Sequence, residues 1–199
     1  MNIHIKGGRL IDPANQIDSL TDLFISNGRI ASVGSAPDNF IVDQVIDASN
    51  KIVCPGLIDM CAHAREPGPA QKGSIRTESM AAVAGGITTM VTPPTTSPIV
   101  DSPAVAKLIK DRCIEAGKIT IHPMGALTKA LEGEQLAPMH ALASSGCIAF
   151  TNSRQAVANS LVLTRCLEYA ATHDLLVIFQ AQDASLAQGG CMHDDSTCT

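Results

Sequence analysis

The most informative segment of the chain reads Asp59-Met60-Cys61-Ala62-His63-Ala64-Arg65-Glu66-Pro67-Gly68. Side chains on a β-strand alternate between its two faces, so ligands at every second position point to the same side. Two imidazoles in that arrangement can begin a zinc site. Here the first of the two positions is Cys61, and only His63 is an imidazole. The segment is therefore typical of a metal-binding strand in which one ligand has been replaced.

Apolar runs and helical stretches alternate through the chain after Pro55-Gly56. Predicted strands occupy residues 57–60, 87–91, 119–121, 147–150 and 175–179, and predicted helices occupy residues 78–84, 104–116, about 135–144 and about 159–172. A repeated β-then-α unit is typical of a parallel sheet covered by helices. An open doubly wound sheet and part of a (β/α)8 barrel both fit this pattern. No Gly-x-Gly-x-x-Gly follows a strand and no Walker loop occurs, so nothing supports a nucleotide-binding sheet.

Two domains are predicted. Residues 1–54 are expected to form a small N-terminal β-sandwich portion, because short alternating runs flank Asn27-Gly28, a strong hairpin signal. Residues 55–199 contain five predicted βα units; as a TIM-type barrel they would be incomplete, because a complete barrel has eight strands and about 250 residues. A fragment or truncated product is expected, in preference to a half-barrel that completes itself by self-association.

The composition argues against several classes of protein. The 199 residues carry a formal net charge of −5, and 45% of them are apolar. Mild acidity and an aromatic share of 3% argue against nucleic acid or an anionic membrane as the partner. No apolar run is long enough to span a bilayer, and residues 1–6 do not resemble the start of a signal peptide. Scattered cysteines in apolar segments are typical of reduced thiols, so a cytoplasmic globular protein is predicted.

Further motifs extend the pattern of residues 59–68 over essentially the whole chain. They are Lys72-Gly73-Ser74-Ile75-Arg76-Thr77-Glu78, Gly86-Ile87-Thr88-Thr89-Met90-Val91-Thr92-Pro93-Pro94-Thr95-Thr96-Ser97-Pro98, residues 125–136 and residues 146–150. Together these motifs resemble the dihydroorotases of the amidohydrolase superfamily. The first motif, with Pro93-Pro94, is most similar to the non-catalytic dihydroorotase homologues that accompany aspartate carbamoyltransferase in some bacteria. The resemblance implies a β-layer that leads into a barrel.

The resemblance also implies which residues occupy the metal positions. Family enzymes hold two metal ions with two histidines on the first strand, a bridging aspartate or carboxylated lysine, and histidines on later strands. In this chain the first-strand positions are Cys61 and His63, the bridging aspartate becomes Ser153, and the fifth-strand histidine becomes Gln180. These four residues are expected to be vestigial. The remaining family ligand and the catalytic aspartate belong to later strands outside this sequence, so no catalytic residue is expected.

Two further residues correspond to substrate contacts of the family. Arg65 matches the arginine that binds the substrate carboxylate, and Thr95 replaces an asparagine. Arg65 is expected to be a vestigial substrate-binding residue, and an ion pair with Glu66 or another acid is the alternative.

Metal binding is predicted to be lost. Dihydroorotase chemistry needs a metal ion to polarise an amide carbonyl and to lower the pKa of the attacking water. A serine hydroxyl brings no charge to offset two dications, and a glutamine amide is a weak zinc ligand compared with imidazole. No cofactor is therefore expected; the alternative is one zinc ion held by Cys61, His63 and His122. Lys129 is expected to be a solvated surface lysine and not a carboxylated bridge.

The predicted function is that of a catalytically inactive, dihydroorotase-like subunit of de novo pyrimidine biosynthesis. By the same resemblance it would bind aspartate carbamoyltransferase and support that enzyme's assembly, and self-association into a homo-oligomer stays open. One alternative is an active metal-dependent dihydroorotase or cyclic amidohydrolase with an altered metal site. The other is a non-functional truncated fragment.

Overall fold

The computed structural model describes residues 1–182, and the chain divides into two compact units. The first unit is Met1–Gly56 and the second begins at Leu57, slightly after the predicted boundary between residues 54 and 55. Within residues 1–182, no helix combines the length and the apolar character needed to cross a lipid bilayer.

The first unit contains one mixed β-sheet. Its strands are β1 (Asn2–Asp12), β2 (Ile17–Ser26), β3 (Arg29–Val33), β4 (Gln44–Asp47) and β5 (Ile52–Val53). The strand order is β3-β2-β1-β4, and β5 also pairs with β1. Strand β2 is antiparallel to both neighbours, whereas β4 and β5 run parallel to β1. Asn27 and Gly28 join β2 to β3 with φ values of 52° and 75°, the positive values that favour a two-residue hairpin turn, so the predicted hairpin is confirmed.

The second unit alternates short parallel strands with helices. The strands are β6 (Leu57–Asp59), β7 (Ile87–Thr92), β8 (Thr120–Pro123), β9 (Gly125–Ala126) and β10 (Phe150–Thr151); the helices are α1 (Ile75–Ala84), α2 (Pro103–Ala116), α3 (Met139–Ser144) and α4 (Ser160–Thr172). Strands β6, β7 and β8 pair in that order, and β9 pairs with β10, all in parallel. Only Met124 separates β8 from β9, so these two short strands occupy one strand position.

The fifth predicted strand, over residues 175–179, is reduced to an isolated parallel bridge between Phe150 and Val177. The Phe150 N–H donates to the Leu176 C=O, and the Ile178 N–H donates to the Phe150 C=O, both at 2.9 Å. The segment therefore lies beside β10 at a fifth strand position.

Two helices begin at residues other than those predicted. Helix α1 begins at Ile75 and not at residue 78, because Ser74 caps it. The Ser74 hydroxyl accepts a hydrogen bond from the Thr77 N–H at 3.1 Å, and the Thr77 hydroxyl accepts one from the Ser74 N–H at 2.9 Å. Helix α3 begins at Met139 and not near residue 135, because Leu136 forms an antiparallel bridge with the preceding loop.

The main core lies between the parallel sheet and its helices. Met90 of β7 belongs to it, whereas the neighbouring Val91 lies in a separate small cluster with Met124 and Ala149. Adjacent residues of a strand point to opposite faces, so the small cluster lies on the face away from the helices. The largest fully buried apolar side chains of the main core are Ile75, Val100, Ile109, Leu127, Met139, Leu142 and Phe150. Most of the buried apolar residues therefore lie on the helix-facing side of the sheet, and few lie on the other face.

Three buried cysteines belong to this core. Burial raises the pKa of the Cys113 thiol to about 11 and that of the Cys147 thiol to about 12, and it also raises the pKa of Cys166. These thiols stay protonated near neutral pH and are poor nucleophiles. Cys54 and Cys61 are exposed, and all five of these cysteines are free.

Candidate functional site

Cys61 and His63 lie in irregular backbone just after β6, not within a strand. Strand β6 ends at Asp59, whose carboxylate accepts a hydrogen bond from the Cys61 N–H at 2.9 Å. The Ala62 N–H then donates to the Val91 C=O at 2.9 Å. The prediction of a strand through both positions is therefore wrong, because the Cys61 N–H donates to the Asp59 side chain and not to a neighbouring strand. Both side chains nevertheless reach the same cavity.

The structure brings together the four residues that the resemblance placed at metal positions. Cys61, His63, Ser153 and Gln180 line one cavity of about 640 Å³, which we call the strand-end cavity. Its other lining residues are Met60, Pro93, Met124, Thr151, Arg154, Ile178 and Phe179. These residues lie on segments at the carboxyl ends of the parallel strands, where the active sites of (β/α)8 barrels are found.

The donor set of the strand-end cavity does not fit a pair of divalent cations. At the four positions it offers a thiol, one imidazole, a hydroxyl and a carboxamide, and no aspartate or glutamate of the described chain lines it. Two dications require anionic ligands to offset their charge, whereas Arg154 brings a further positive charge. Within residues 1–182, no three His, Cys, Asp or Glu side chains lie close enough together to hold a metal ion.

His122, the third member of the predicted single-zinc set, lies elsewhere. It lines a cavity of about 490 Å³ together with Lys110 and Cys113 of α2. The structure does not bring His122 together with Cys61 and His63, so the set of three ligands is not assembled. Lys129 is exposed and lines neither this cavity nor the strand-end cavity, as predicted for a solvated lysine.

Arg65 and Thr95 line a neighbouring cavity of about 300 Å³, which we call the arginine cavity. His63 and Pro93 line both cavities, so they form part of the wall between them. The Thr95 hydroxyl lies 3.5 Å from Nδ1 of His63. Thr92 also lines the arginine cavity, and its buried hydroxyl has no hydrogen-bond partner among the described residues. The arginine cavity therefore offers one cationic group and several hydroxyls.

The acid next to Arg65 is committed to another contact. The Glu66 carboxylate accepts a hydrogen bond from the Ile75 N–H at 2.9 Å, at the positive end of the α1 dipole. None of the ion pairs in the described part of the chain includes Arg65, so the alternative of an Arg65–Glu66 pair is wrong for this structure. Arg65 itself has a φ of 55°, which is uncommon for a residue with a side chain.

A buried polar network beside Ser153 was not predicted. Asn152 is 2% exposed; its Oδ1 accepts from the Thr128 N–H at 3.1 Å, and its Nδ2 donates to the Leu131 C=O at 3.4 Å. The Thr128 hydroxyl accepts from the Gly133 N–H at 3.0 Å. The sequence could have indicated the network by position alone. Thr128 and Asn152 each follow closely after one of two neighbouring parallel strands, so their side chains can meet at one edge of the sheet.

Arg154 was also not predicted, because no motif surrounds it. It lies in a turn after β10, where the Gln155 N–H donates to the Asn152 C=O at 3.0 Å. Ser153 has a φ of 56°, and its N–H donates to the Thr151 hydroxyl at 2.9 Å. These bonds hold the turn that carries Arg154 at the strand-end cavity.

Comparison with known proteins identifies the family. The sequence model of the Dihydro-orotase-like family matches residues 50–198. The chain belongs to this family. The dihydro-orotase-like chain is 50% identical over 194 residues to a Dihydroorotase-like protein of Pseudomonas putida, covering 98% of the chain and 46% of that protein. It is 46% identical over 199 residues to a protein of the same name from Pseudomonas aeruginosa, covering 100% of the chain and 47% of that protein.

The dihydro-orotase-like chain thus spans about half the length of the curated relatives it matches. Other relatives are named dihydroorotase. Among solved structures, the L-hydantoinase (dihydropyrimidinase) from Arthrobacter aurescens matches with a TM-score of 0.77 and 19% identity, covering 94% of this chain and 42% of that chain. At this identity the likeness concerns the fold alone. It confirms the predicted fold class, a partial (β/α)8 barrel.

Proposed function

We propose that the dihydro-orotase-like chain is a catalytically inactive subunit of de novo pyrimidine biosynthesis, which binds aspartate carbamoyltransferase and supports its assembly. One observation carries the proposal. The strand-end cavity gathers the four residues that the resemblance aligns with family metal positions, and only His63 among them is an imidazole. This supports a chain that keeps the scaffold of the family while its metal ligands are replaced.

The replaced ligands argue against amide hydrolysis in chemical terms. A zinc-bound water has a pKa of about 7, far below the pKa of bulk water, so a site without metal has no comparable nucleophile near neutral pH. No carboxylate of the described chain lines the strand-end cavity to act as a general base. Arg65 and the hydroxyls of the arginine cavity could still bind a ligand, but binding alone does not lower the barrier.

The partner in the proposal comes from the resemblance of residues 72–78 and of Pro93-Pro94 to the non-catalytic homologues. The first of these motifs runs into α1, where Met80 and Val83 are exposed. Exposed apolar side chains are costly to leave in water and are common in protein interfaces. The exposed face of α1 that carries Met80 and Val83 is therefore the surface that we assign to the partner.

The absence of catalysis is tested by metal analysis combined with an activity assay. We expect the purified chain to contain well under one zinc ion per chain after incubation with zinc and dialysis, and to show no turnover of dihydroorotate. Stoichiometric zinc together with turnover would establish the active metal-dependent alternative and reject the inactive subunit.

The partner is tested by co-purification with aspartate carbamoyltransferase. We expect the unaltered chain to be retained on the immobilised enzyme, and the Met80→Asp/Val83→Asp variant to be lost. Ile30→Asp, which changes an exposed apolar residue of the first unit, is the matched control and should be retained. A chain that is not retained and that unfolds without a cooperative transition would support the truncated-fragment alternative.

A further inference from the structure

We infer that the strand-end cavity binds the carboxylate group of a small molecule through Arg154, at the place where family enzymes hold metal cations. The inference rests on the proposed function in one respect, because the cavity must be free of a metal pair. It goes beyond that function, since it assigns a ligand class to a cavity that would otherwise only be the remnant of a metal site.

The charge of the lining is the first argument. Arg154 is a permanent cation, and the other polar lining groups are an imidazole, hydroxyls, a carboxamide and a thiol. No acidic side chain of the described residues lines the cavity. A cavity lined in this way repels divalent cations and attracts anions.

The second argument is that the Arg154 guanidinium has no other partner within residues 1–182. None of the ion pairs and none of the side-chain hydrogen bonds in this part of the chain includes it. A guanidinium presents N–H donors in a planar fork that matches the two oxygens of a carboxylate. Arg154 can therefore donate two N–H groups to a ligand carboxylate without losing a hydrogen bond to another described residue.

The third argument is that the backbone holding Arg154 is fixed. The Ser153 N–H donates to the Thr151 hydroxyl at 2.9 Å, and the Gln155 N–H donates to the Asn152 C=O at 3.0 Å. Asn152 is itself buried and bonded to Thr128. The turn is thus anchored to the core, which lowers the entropy lost when a ligand orders the site.

The walls of the strand-end cavity indicate the rest of the ligand. Met60, Met124, Ile178 and Phe179 supply an apolar lining, and the volume of about 640 Å³ is in the range of small-molecule sites. A small apolar molecule that carries one carboxylate group fits this combination of lining residues.

Benzoate and benzamide are the probes that test the inference, because they share a shape and differ in charge. We expect benzoate to bind the intact chain saturably in a heteronuclear NMR titration, with the largest shifts at residues 151–154, and benzamide to bind at least about tenfold more weakly. Arg154→Gln should weaken benzoate binding about tenfold or more, since it removes a charge-assisted hydrogen bond. Arg165→Gln, which changes an exposed arginine of α4, is the matched control and should bind benzoate like the unaltered chain.

Three results would overturn the inference: no saturable benzoate binding, equal binding of benzamide, or equal benzoate binding by the Arg154→Gln variant. The thermal unfolding of that variant must match the unaltered chain, and the exposed position of Arg154 makes this the expected result. Zinc content is measured on the same samples. Stoichiometric zinc would refute the proposed function, whereas metal-free protein without benzoate binding would refute this inference alone.

Discussion

The amide of Asn152 connects two strand ends from a position that is almost completely buried. It accepts from the Thr128 N–H, donates to the Thr128 hydroxyl at 2.9 Å and donates to the Leu131 C=O. A buried donor or acceptor that loses its partner costs about 1–3 kcal/mol. Removing one of these hydrogen bonds therefore destabilises the fold by more than forming it stabilises the fold. The network therefore holds both the Thr128 loop and the turn with Ser153 in place.

We expect Asn152→Ala to lower the free energy of unfolding by about 2–3 kcal/mol, because buried backbone and hydroxyl groups lose their partners. Urea unfolding followed by circular dichroism measures the loss. Asn159→Ala is the matched control: it removes the N-cap of α4, where Asn159 accepts from Leu161 and Val162, and should cost about 1 kcal/mol. A smaller loss for Asn152→Ala than for the control would contradict the role of the network.

Restoring family ligands at the strand-end cavity should restore metal affinity. We expect the triple variant Cys61→His/Ser153→Asp/Gln180→His to retain about one zinc ion per chain, because it supplies imidazole and carboxylate ligands from three segments that line one cavity. Mass spectrometry of dialysed protein measures the zinc. Cys54→His, at an exposed cysteine of the first unit, controls for non-specific binding. Zinc content no higher than that of this control would show that the four positions do not converge as described.

The helices and strands could be predicted where their apolar residues follow a periodic pattern, but their first and last residues could not. Helix α2 buries Val105, Ile109 and Cys113, as the spacing of its apolar residues predicts. Helix α4 has an equally regular pattern, yet Leu161 and Leu167 are 58% and 46% exposed. Periodicity shows which residues share a face, but it does not show whether another element covers that face. The start of α1 was missed for a different reason, because the side-chain hydrogen bonds of the cap decided it.

One carboxylate, that of Asp22, bridges β1 and β2 where their register shifts between Ile5 and Gly8. The Gly7 N–H donates to Asp22 at 2.8 Å, and His4 Nε2 lies 2.8 Å from the same carboxylate. The hydrogen bond from Gly7, followed by that of His4, holds the pKa of Asp22 below its usual 3.8. Because the folded-state pKa is the lower one, the carboxylate stabilises the fold above the unfolded-state pKa, and that stability is lost as the pH falls through the folded-state value.

We therefore expect acid to destabilise the first unit below about pH 4, and Asp22→Asn to reduce the dependence of stability on pH in that window. Urea unfolding at a series of pH values between about 2 and 6 measures the effect. Asp38→Asn is the matched control, since Asp38 is exposed and its side chain forms no hydrogen bond with a described residue. If both variants show the same slope against pH, the contacts of Asp22 do not contribute to acid stability.

At the scale of the whole molecule, the parallel sheet has two open edges within the described residues. Strand β6 pairs only with β7, and the bridge at Val177 pairs only with β10. Ile58 on β6 is 62% exposed, and Leu176 beside the bridge is also exposed. Unpaired edges with apolar side chains favour association with another chain.

We expect the purified chain to self-associate as its concentration rises, and Ile58→Lys to shift it towards the monomer, because an edge lysine opposes strand pairing. Light scattering after size-exclusion chromatography measures the mass. Ile114→Lys, at a similarly exposed apolar residue of helix α2 and away from any strand edge, should leave the mass distribution unchanged. A concentration-independent monomer would show that these edges do not drive association.

The candidate site was predictable only where a motif pointed to it. Cys61, His63, Ser153 and Gln180 each follow a strand at a position that the family resemblance marks, and the fold brings them to one cavity. Arg154 has no motif of its own. Its place at the cavity depends on the left-handed conformation of Ser153 and on a turn that apolar patterning does not describe.

His63 lines both the strand-end cavity and the arginine cavity. A ligand that moved the His63 imidazole from within one cavity would change the shape of the other. Ligands in the two cavities could therefore affect each other's binding. Replacing His63 with alanine would leave Pro93 as the one large side chain that both cavities share among the described residues.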